Sequence, residues 1–250
     1  MLEDATSLIV ILAMAAFLAG FIDSIAGGGG LITVPALILA GLTPVEALGT
    51  NKLQGLFGTA SAALNYSRKG HVDLKKQWPA ALIAGGASII GAGVATIVPA
   101  DWFRAVLPFL LVAIALFFWF KPGLDDTEKA GRLAPMIFLL TLVPLIGFYD
   151  GLFGPGTGSF FMIGFVTLAG YGVLKATAHT KLLNFASNLG GFVLFAWVGA
   201  VAWKVGLIMG VAQIAGARLG SSLAMKNGAR LIKPLLVVTC LALALRLWVG

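Results

Sequence analysis

The sequence predicts an all-α polytopic membrane protein with about eight long transmembrane helices plus two short half-helices after Gly-rich breaks, arranged as two inverted-topology repeats. Three observations carry this. First, 59% of the 250 residues are hydrophobic and 11% are charged, with a mean hydropathy of +0.99, whereas soluble domains hold roughly 25% charged residues. Second, apolar segments close to the ~20 residues that cross a ~30 Å hydrocarbon core recur along the chain. Third, Gly20-Phe21-Ile22-Asp23-Ser24-Ile25-Ala26-Gly27-Gly28-Gly29-Gly30 and Gly147-Phe148-Tyr149-Asp150-Gly151-Leu152-Phe153-Gly154-Pro155-Gly156-Thr157-Gly158 each set an acid and a glycine break in apolar surroundings. Open backbone or a bare carboxylate costs roughly several kcal/mol there and persists only around a protein-enclosed cavity.

The long segments run over 6–26, 44–66, 77–98, 102–120, 134–153, 173–198, 203–224 and 229–248. The first lacks the basic flank of a secretory signal and is read as a membrane helix. The arms 31–41 and 159–169 each follow a glycine break and reach about half way across the core at ~1.5 Å per residue. Sequence alone leaves open whether they cross in partly extended form or fold back. Thr43-Pro44-Val45-Glu46 sets a capping Thr, a first-turn Pro and a reciprocal Glu, so the second long helix starts at Pro44. The polar linker 121–133, expected on the cytoplasmic side, separates an N-terminal repeat, 1–120, from a C-terminal repeat, 134–250, and together they form one transmembrane domain.

Several positions match across the halves at a near-constant offset: Asp23 with Asp150, Lys52 with Lys181, Lys75 with Lys204, Gly91 with Gly220, Arg104 with Arg230 and Pro108 with Pro234. An ordered series of this kind argues for internal duplication, as in many transporter folds. Arg68, Lys69, Lys75 and Lys76 crowd one loop while its counterpart near 199–204 holds Lys204; the 225–233 loop is basic where its counterpart near 99–104 has Arg104. Equivalent loops therefore face opposite sides, which makes the repeats inverted.

The net charge of +7 sits in short loops between apolar runs, a pattern of membrane orientation, so the partners expected are lipid and a small solute and not nucleic acid. Cys240 is the single cysteine, which excludes a disulfide framework or a cysteine metal site. Trp78, Trp102, Trp119, Trp197, Trp203 and Trp248 fall largely at segment ends, as an interfacial belt does. No zinc-protease, nucleophile-elbow or phosphate-loop signature occurs, so neither a cofactor nor an enzyme is expected.

The chemistry lies in the repeated motifs. Helix N-termini exposed by a glycine break favour an anion. Gly29, Gly30 and Thr33 in one half, with Gly156, Thr157, Gly158 and Ser159 in the other, are expected to converge on one substrate near the midplane. Close helix packing is the alternative role for those glycines. Asn51 and Lys52 in one helix, and His179, Thr180, Lys181 and Asn184 in another, supply charge and directional hydrogen bonds for a small anion. The lysines otherwise snorkel to an interface. Asp23, Asp150 and His179 are candidates for proton coupling; the carboxylates otherwise cap their glycine turns or pair with Lys52 or Lys181, and the histidine is otherwise a satisfied hydrogen-bonding group. Arg218 either reaches an anion vestibule or snorkels.

At these residues the sequence resembles the TauE/SafE family of bacterial membrane permeases, the sulfite exporter family. The resemblance rests on the segment Gly20 to Pro35, on Gly49-Thr50-Asn51-Lys52 and on the segment Gly147 to Phe160. It implies a bacterial inner-membrane protein that moves small sulfur-containing or organic anions such as sulfite, sulfonates or sulfoacetate. The expectation is a secondary transporter with one central anion site between inverted halves, alternating access, and proton coupling through Asp23, Asp150 or His179. An anion channel shares much of this sequence; a membrane accessory or scaffold subunit predicts no ligand, and an intramembrane enzyme predicts a product.

Overall fold

The computed structural model describes residues 2–99 and 125–232, with positions 109, 116, 234 and 238. Most of the expected segments 102–120 and 229–248, with Trp102, Arg104, Trp119, Cys240 and Trp248, lies outside the described residues. Among the described residues the elements are helical: α1 Leu2–Ala26, α2 Gly30–Leu39, α3 Pro44–Arg68, α4 Leu74–Ala95, α5 Pro135–Leu152, α6 Thr157–Thr167, α7 Val173–Trp197 and α8 Trp203–Asn227.

Four described segments are long and apolar enough to cross a membrane: Ser7–Ala26, Leu74–Ala95, Pro135–Leu152 and Trp203–Asn227. α3 and α7 are equally long, at 25 residues each. They are less apolar because their inward faces carry Lys52, Asn51 and Gln54, or Lys181, Asn184 and Asn188, all buried. α2 and α6 are shorter apolar helices of 10 and 11 residues.

Local chemistry sets the boundaries. Thr43 accepts a hydrogen bond from the Glu46 N–H while the Glu46 carboxylate accepts from the Thr43 N–H at 3.0 Å, a complete capping box around Pro44. Asp73 accepts from the N–H groups of Lys75 and Lys76 at 2.9 and 3.2 Å and starts α4. Gly27 and Gly28 have φ of 81° and 94°, and Gly154 and Gly156 have 82° and 85°. Only glycine takes these values without strain, and they let the chain turn between α1 and α2 and between α5 and α6.

The two halves are interleaved: α1 packs on α8, α5 on α4, α3 on α8, α7 on α4, and α3 on α7. The contacts match in pairs. A Cβ placed on Gly91 would overlap the Phe148 carbonyl, and one on Gly220 would overlap the Phe21 carbonyl. Backbone-to-backbone approach of this kind is available only to the smallest residues. Gly91→Val and Gly220→Val should therefore each cost at least ~1–3 kcal/mol through overpacking, and thermal unfolding in detergent should show a clear fall for both; an unchanged midpoint would place the close approach elsewhere.

The end of the linker is fastened to the second half. Asp126 accepts from the Leu174 N–H at 2.8 Å and from the Ala229 N–H at 3.0 Å, and the Asp125 carbonyl accepts from the Val173 N–H at 3.0 Å. Hydrogen bonds from the Thr127 hydroxyl and backbone hold the exposed Asp125 carboxyl below its ordinary range.

Candidate functional site

The two glycine breaks meet inside the helix bundle. A Cβ on Gly27 would lie 2.7 Å from the Gly158 carbonyl carbon and 2.6 Å from the Ser159 nitrogen, and Ser159 Oγ donates to the Ala26 carbonyl at 3.1 Å. The N-termini of α2 and α6 thus face one small polar cavity. Its space is about 20 Å³, enough for one water. The wall includes Gly28, Gly29 and Gly30 of the first break and Gly154, Thr157 and Gly158 of the second. Gly30 and Gly158 stand in the first turns of α2 and α6, where backbone N–H groups have no intrahelical acceptor.

Each buried lysine pairs with the carboxylate of the opposite half. Lys52 Nζ on α3 lies 2.7 Å from Asp150 Oδ1 on α5. Lys181 Nζ on α7 lies 3.4 Å from Asp23 Oδ2 on α1 and also donates to the Asp23 carbonyl oxygen. The lysine side chains are both 1% exposed, so neither snorkels. The same carboxylates tie down their own breaks: Asp23 Oδ1 accepts from the Gly29 N–H at 3.2 Å, and Asp150 Oδ1 accepts from the Thr157 hydroxyl at 2.7 Å. The result is a neutral quartet, two cations and two anions, that locks the halves together.

Asn51 Oδ1 accepts from Thr33 Oγ1 at 2.6 Å and from Gln54 Nε2 at 2.9 Å. Its acceptor is thereby occupied twice, which leaves the amide N–H groups for the space beside Gly30, where a Cβ would lie 3.1 Å from Asn51 Nδ2. Were Asn51 a ligand to an anion, Asn51→Ala should weaken that binding about ten- to a hundredfold, the loss of one hydrogen bond to a charged group at ~1.5–3 kcal/mol. Titration of purified protein with labelled anion reads this, and an unchanged affinity would remove Asn51 from the site.

The structure brings Asp23, Gly29, Gly30, Asn51, Asp150, Thr157, Gly158 and Asn184 to the cavity wall, with Lys52 and Lys181 directly behind its carboxylates. Thr33 and Ser159 stand behind it as hydrogen-bond supports, and Gly156 is the left-handed turn residue before α6. Thr180 is buried with its hydroxyl unpartnered among the described residues. His179 is elsewhere: its ring packs against Tyr171 and Phe165, at centroid distances of 4.9 and 5.6 Å, and lines a separate outer cavity. The reason is helical geometry. At ~100° per residue, positions 179 and 181 point to nearly opposite sides of α7. Arg218 is exposed on α8 and shares an outer groove with Arg68.

Gly55, Thr59, Asn188 and Gln213 also line the cavity, and sequence reasoning did not select them. A signal existed for three. Lys52, Gly55 and Thr59 on α3, and Lys181, Asn184 and Asn188 on α7, share the spacing i, i+3, i+7, which places each trio on one helix face. Gln213 had no such signal. It enters because α8 comes so close that a Cβ on Gly20 or Gly58 would lie 2.7 or 2.8 Å from Gln213 Cγ.

Apolar helices that enclose a small polar cavity walled in part by charged residues define a helical membrane protein with a buried polar site. Comparison with known proteins agrees: the family model for the sulfite exporter TauE/SafE matches residues 12–247. The chain belongs to the TauE/SafE family, which is a family of membrane transporters and not of enzymes. It is 62% identical to the "Probable membrane transporter protein ORF9" of Sinorhizobium sp over 247 residues, 99% of this chain and 95% of the relative. It is 44% identical to the "Probable membrane transporter protein YfcA" of Escherichia coli K12 over 96% of this chain and 89% of that one. A "Probable membrane transporter protein" of Haemophilus influenzae is also 44% identical, over 95% and 93% of the two chains. No solved structure matches the chain.

Proposed function

We propose that this chain is a secondary transporter of the bacterial inner membrane that carries a small sulfur-containing or organic anion through the central cavity. Its two halves act as inverted repeats that rock about the cavity to give alternating access. The observation that carries the reading is the meeting of two helix N-termini at a cavity walled by Asp23 and Asp150, each paired with a buried lysine of the opposite half. Helix N-termini and Asn51 offer donors to an oxyanion.

The charge count points to coupling. With both pairs intact the quartet is neutral, so an arriving anion gains no net Coulombic attraction from it. A proton taken up by Asp150 or Asp23 leaves a lysine uncompensated, and the anion then restores neutrality in a medium where an isolated charge is costly. Proton and anion bind together for this reason, and the loaded and empty sites carry the same net charge. Because each ion pair spans the halves, exchanging a carboxylate for a substrate oxygen also loosens the contact that must part during rocking.

The experiment is uptake of labelled sulfite, sulfoacetate, taurine and acetate into liposomes reconstituted with the pure protein, with and without an imposed pH gradient. Saturable uptake of one anion, accelerated when protons and anion are supplied on the same side, is the expected result. Flux that does not saturate and admits no exchange would make the chain a channel, and no flux of any anion through folded protein would favour an accessory subunit.

A further inference from the structure

A larger cavity of about 880 Å³ lies beside the central one, bounded by α4, α5, the end of α6 and the start of α7. Its wall includes the loop that holds Gly70, His71 and Asp73. The matching place in the other half is filled. Thr50, which corresponds to His179 in the series that aligns Lys52 with Lys181, accepts from the Ala202 N–H at 2.9 Å, and a Cβ on Gly49 would overlap the Ala200 carbonyl. Among the described residues, then, this place is packed in one half and hollow in the other.

The wall of the hollow is basic and partly aromatic. Lys76, Arg132 and Lys175 all line it. The carboxylates that face them are Asp73, 3.8 Å from Lys76 Nζ, and Glu128, 2.8 Å from Lys175 Nζ. Arg132 has no carboxylate partner among the described residues, so the charge of this wall is positive. Lys175 Nζ also sits 4.4 Å over the Tyr171 ring, which packs edge-on against His179. At the inner end Gln77, 8% exposed, donates to the His179 carbonyl at 3.3 Å and leaves its own Oε1 unpartnered. His179 stands only two residues before Lys181, so α7 presents one face to the hollow and another to the central cavity.

We infer that this hollow is an outer anion site, an antechamber that binds a small sulfonate or carboxylate before it passes to the central cavity. Arg132 supplies the planar fork that matches a carboxylate or sulfonate edge, Lys76 and Lys175 add field, and Gln77 Oε1 accepts a hydrogen bond from the hydration shell the anion carries. A cleft of net positive charge between low-dielectric walls concentrates its counter-ion, by about tenfold. The inference rests on the reading of the chain as an anion carrier, yet its test needs no transport.

In a Cys240→Ala background, His179→Cys is labelled in detergent with two water-soluble methanethiosulfonates, one bearing a sulfonate and one a trimethylammonium group. The rate ratio, sulfonate over ammonium, should exceed that of a free small thiol by about tenfold. It should fall toward the free-thiol value in Arg132→Gln and at high salt. Ala80→Cys, on the same wall, repeats the measurement should the first variant not fold. A ratio equal to that of the free thiol at both positions, or no labelling by either reagent, overturns the antechamber. Anion-selective labelling of a chain that moves no anion would keep the antechamber and remove the carrier reading; flux without selective labelling would do the reverse.

Discussion

Lys52→Ala protein is expected to unfold far more readily than the parent, by ~3–5 kcal/mol, because the change strands the Asp150 carboxylate, 1% exposed, among apolar helices without its cation. The partner substitution separates structure from transport. Asp150→Asn added to Lys52→Ala removes the stranded charge and keeps an amide at the same place, so most of the lost stability should return. Anion flux should not return, because the cation that the substrate would meet is gone. Thermal unfolding in detergent and liposome uptake together read the two effects. A double variant that transports like the parent would end the role of the Lys52–Asp150 pair in binding. One that stays as unstable as the single variant would mean that Lys52 is held by something other than its charge partner. Lys181→Ala and Asp23→Asn should behave alike but less severely, since the Asp23 pair is longer, at 3.4 Å, and its carboxylate more accessible, at 11%.

Asp150→Asn alone is expected to uncouple. The amide preserves size and still accepts from the Thr157 hydroxyl, but it cannot take up and release a proton. Lys52 then stays uncompensated, so the anion binds tightly without a proton and the empty site bears a net positive charge. Charge of that kind disfavours return of the empty carrier through an apolar environment. Exchange of anion for anion should survive while net uptake driven by a pH gradient falls at least tenfold. The sign follows from the charge count: in the parent, acidifying the anion's side raises uptake, whereas in Asp150→Asn the rate should not respond. If Asp150→Asn and Asp23→Asn both keep the parental pH response, neither carboxylate carries the proton.

Much of this was legible one residue at a time. The start of α3 follows from Thr43, Pro44 and Glu46, which satisfy one another locally. The two turns at Gly27-Gly28 and Gly154 to Gly156 follow from glycine's freedom at positive φ, and the short arms from the run of apolar residues after each break. That acids and lysines would recur once per half is visible in the aligned motifs, and the family membership lies in the same segments. The shared i, i+3, i+7 spacing of Lys52, Gly55 and Thr59 with Lys181, Asn184 and Asn188 was present in the chain as well, since helical period alone generates it.

By itself, then, the sequence determined which residues are too costly to leave in hydrocarbon, where the chain must break, and which face of α3 and of α7 is polar. Only the tertiary structure decided the partners. Lys52 pairs with Asp150 and Lys181 with Asp23 because the halves interleave, and a charge is indifferent to sequence distance once burial brings it to an opposite charge. Gln213 reaches the cavity because Gly20 and Gly58 let α8 approach, and His179 leaves it because the helix turns by ~200° in two residues. Periodicity assigns a residue to a face; what that face meets depends on the packing of the whole bundle.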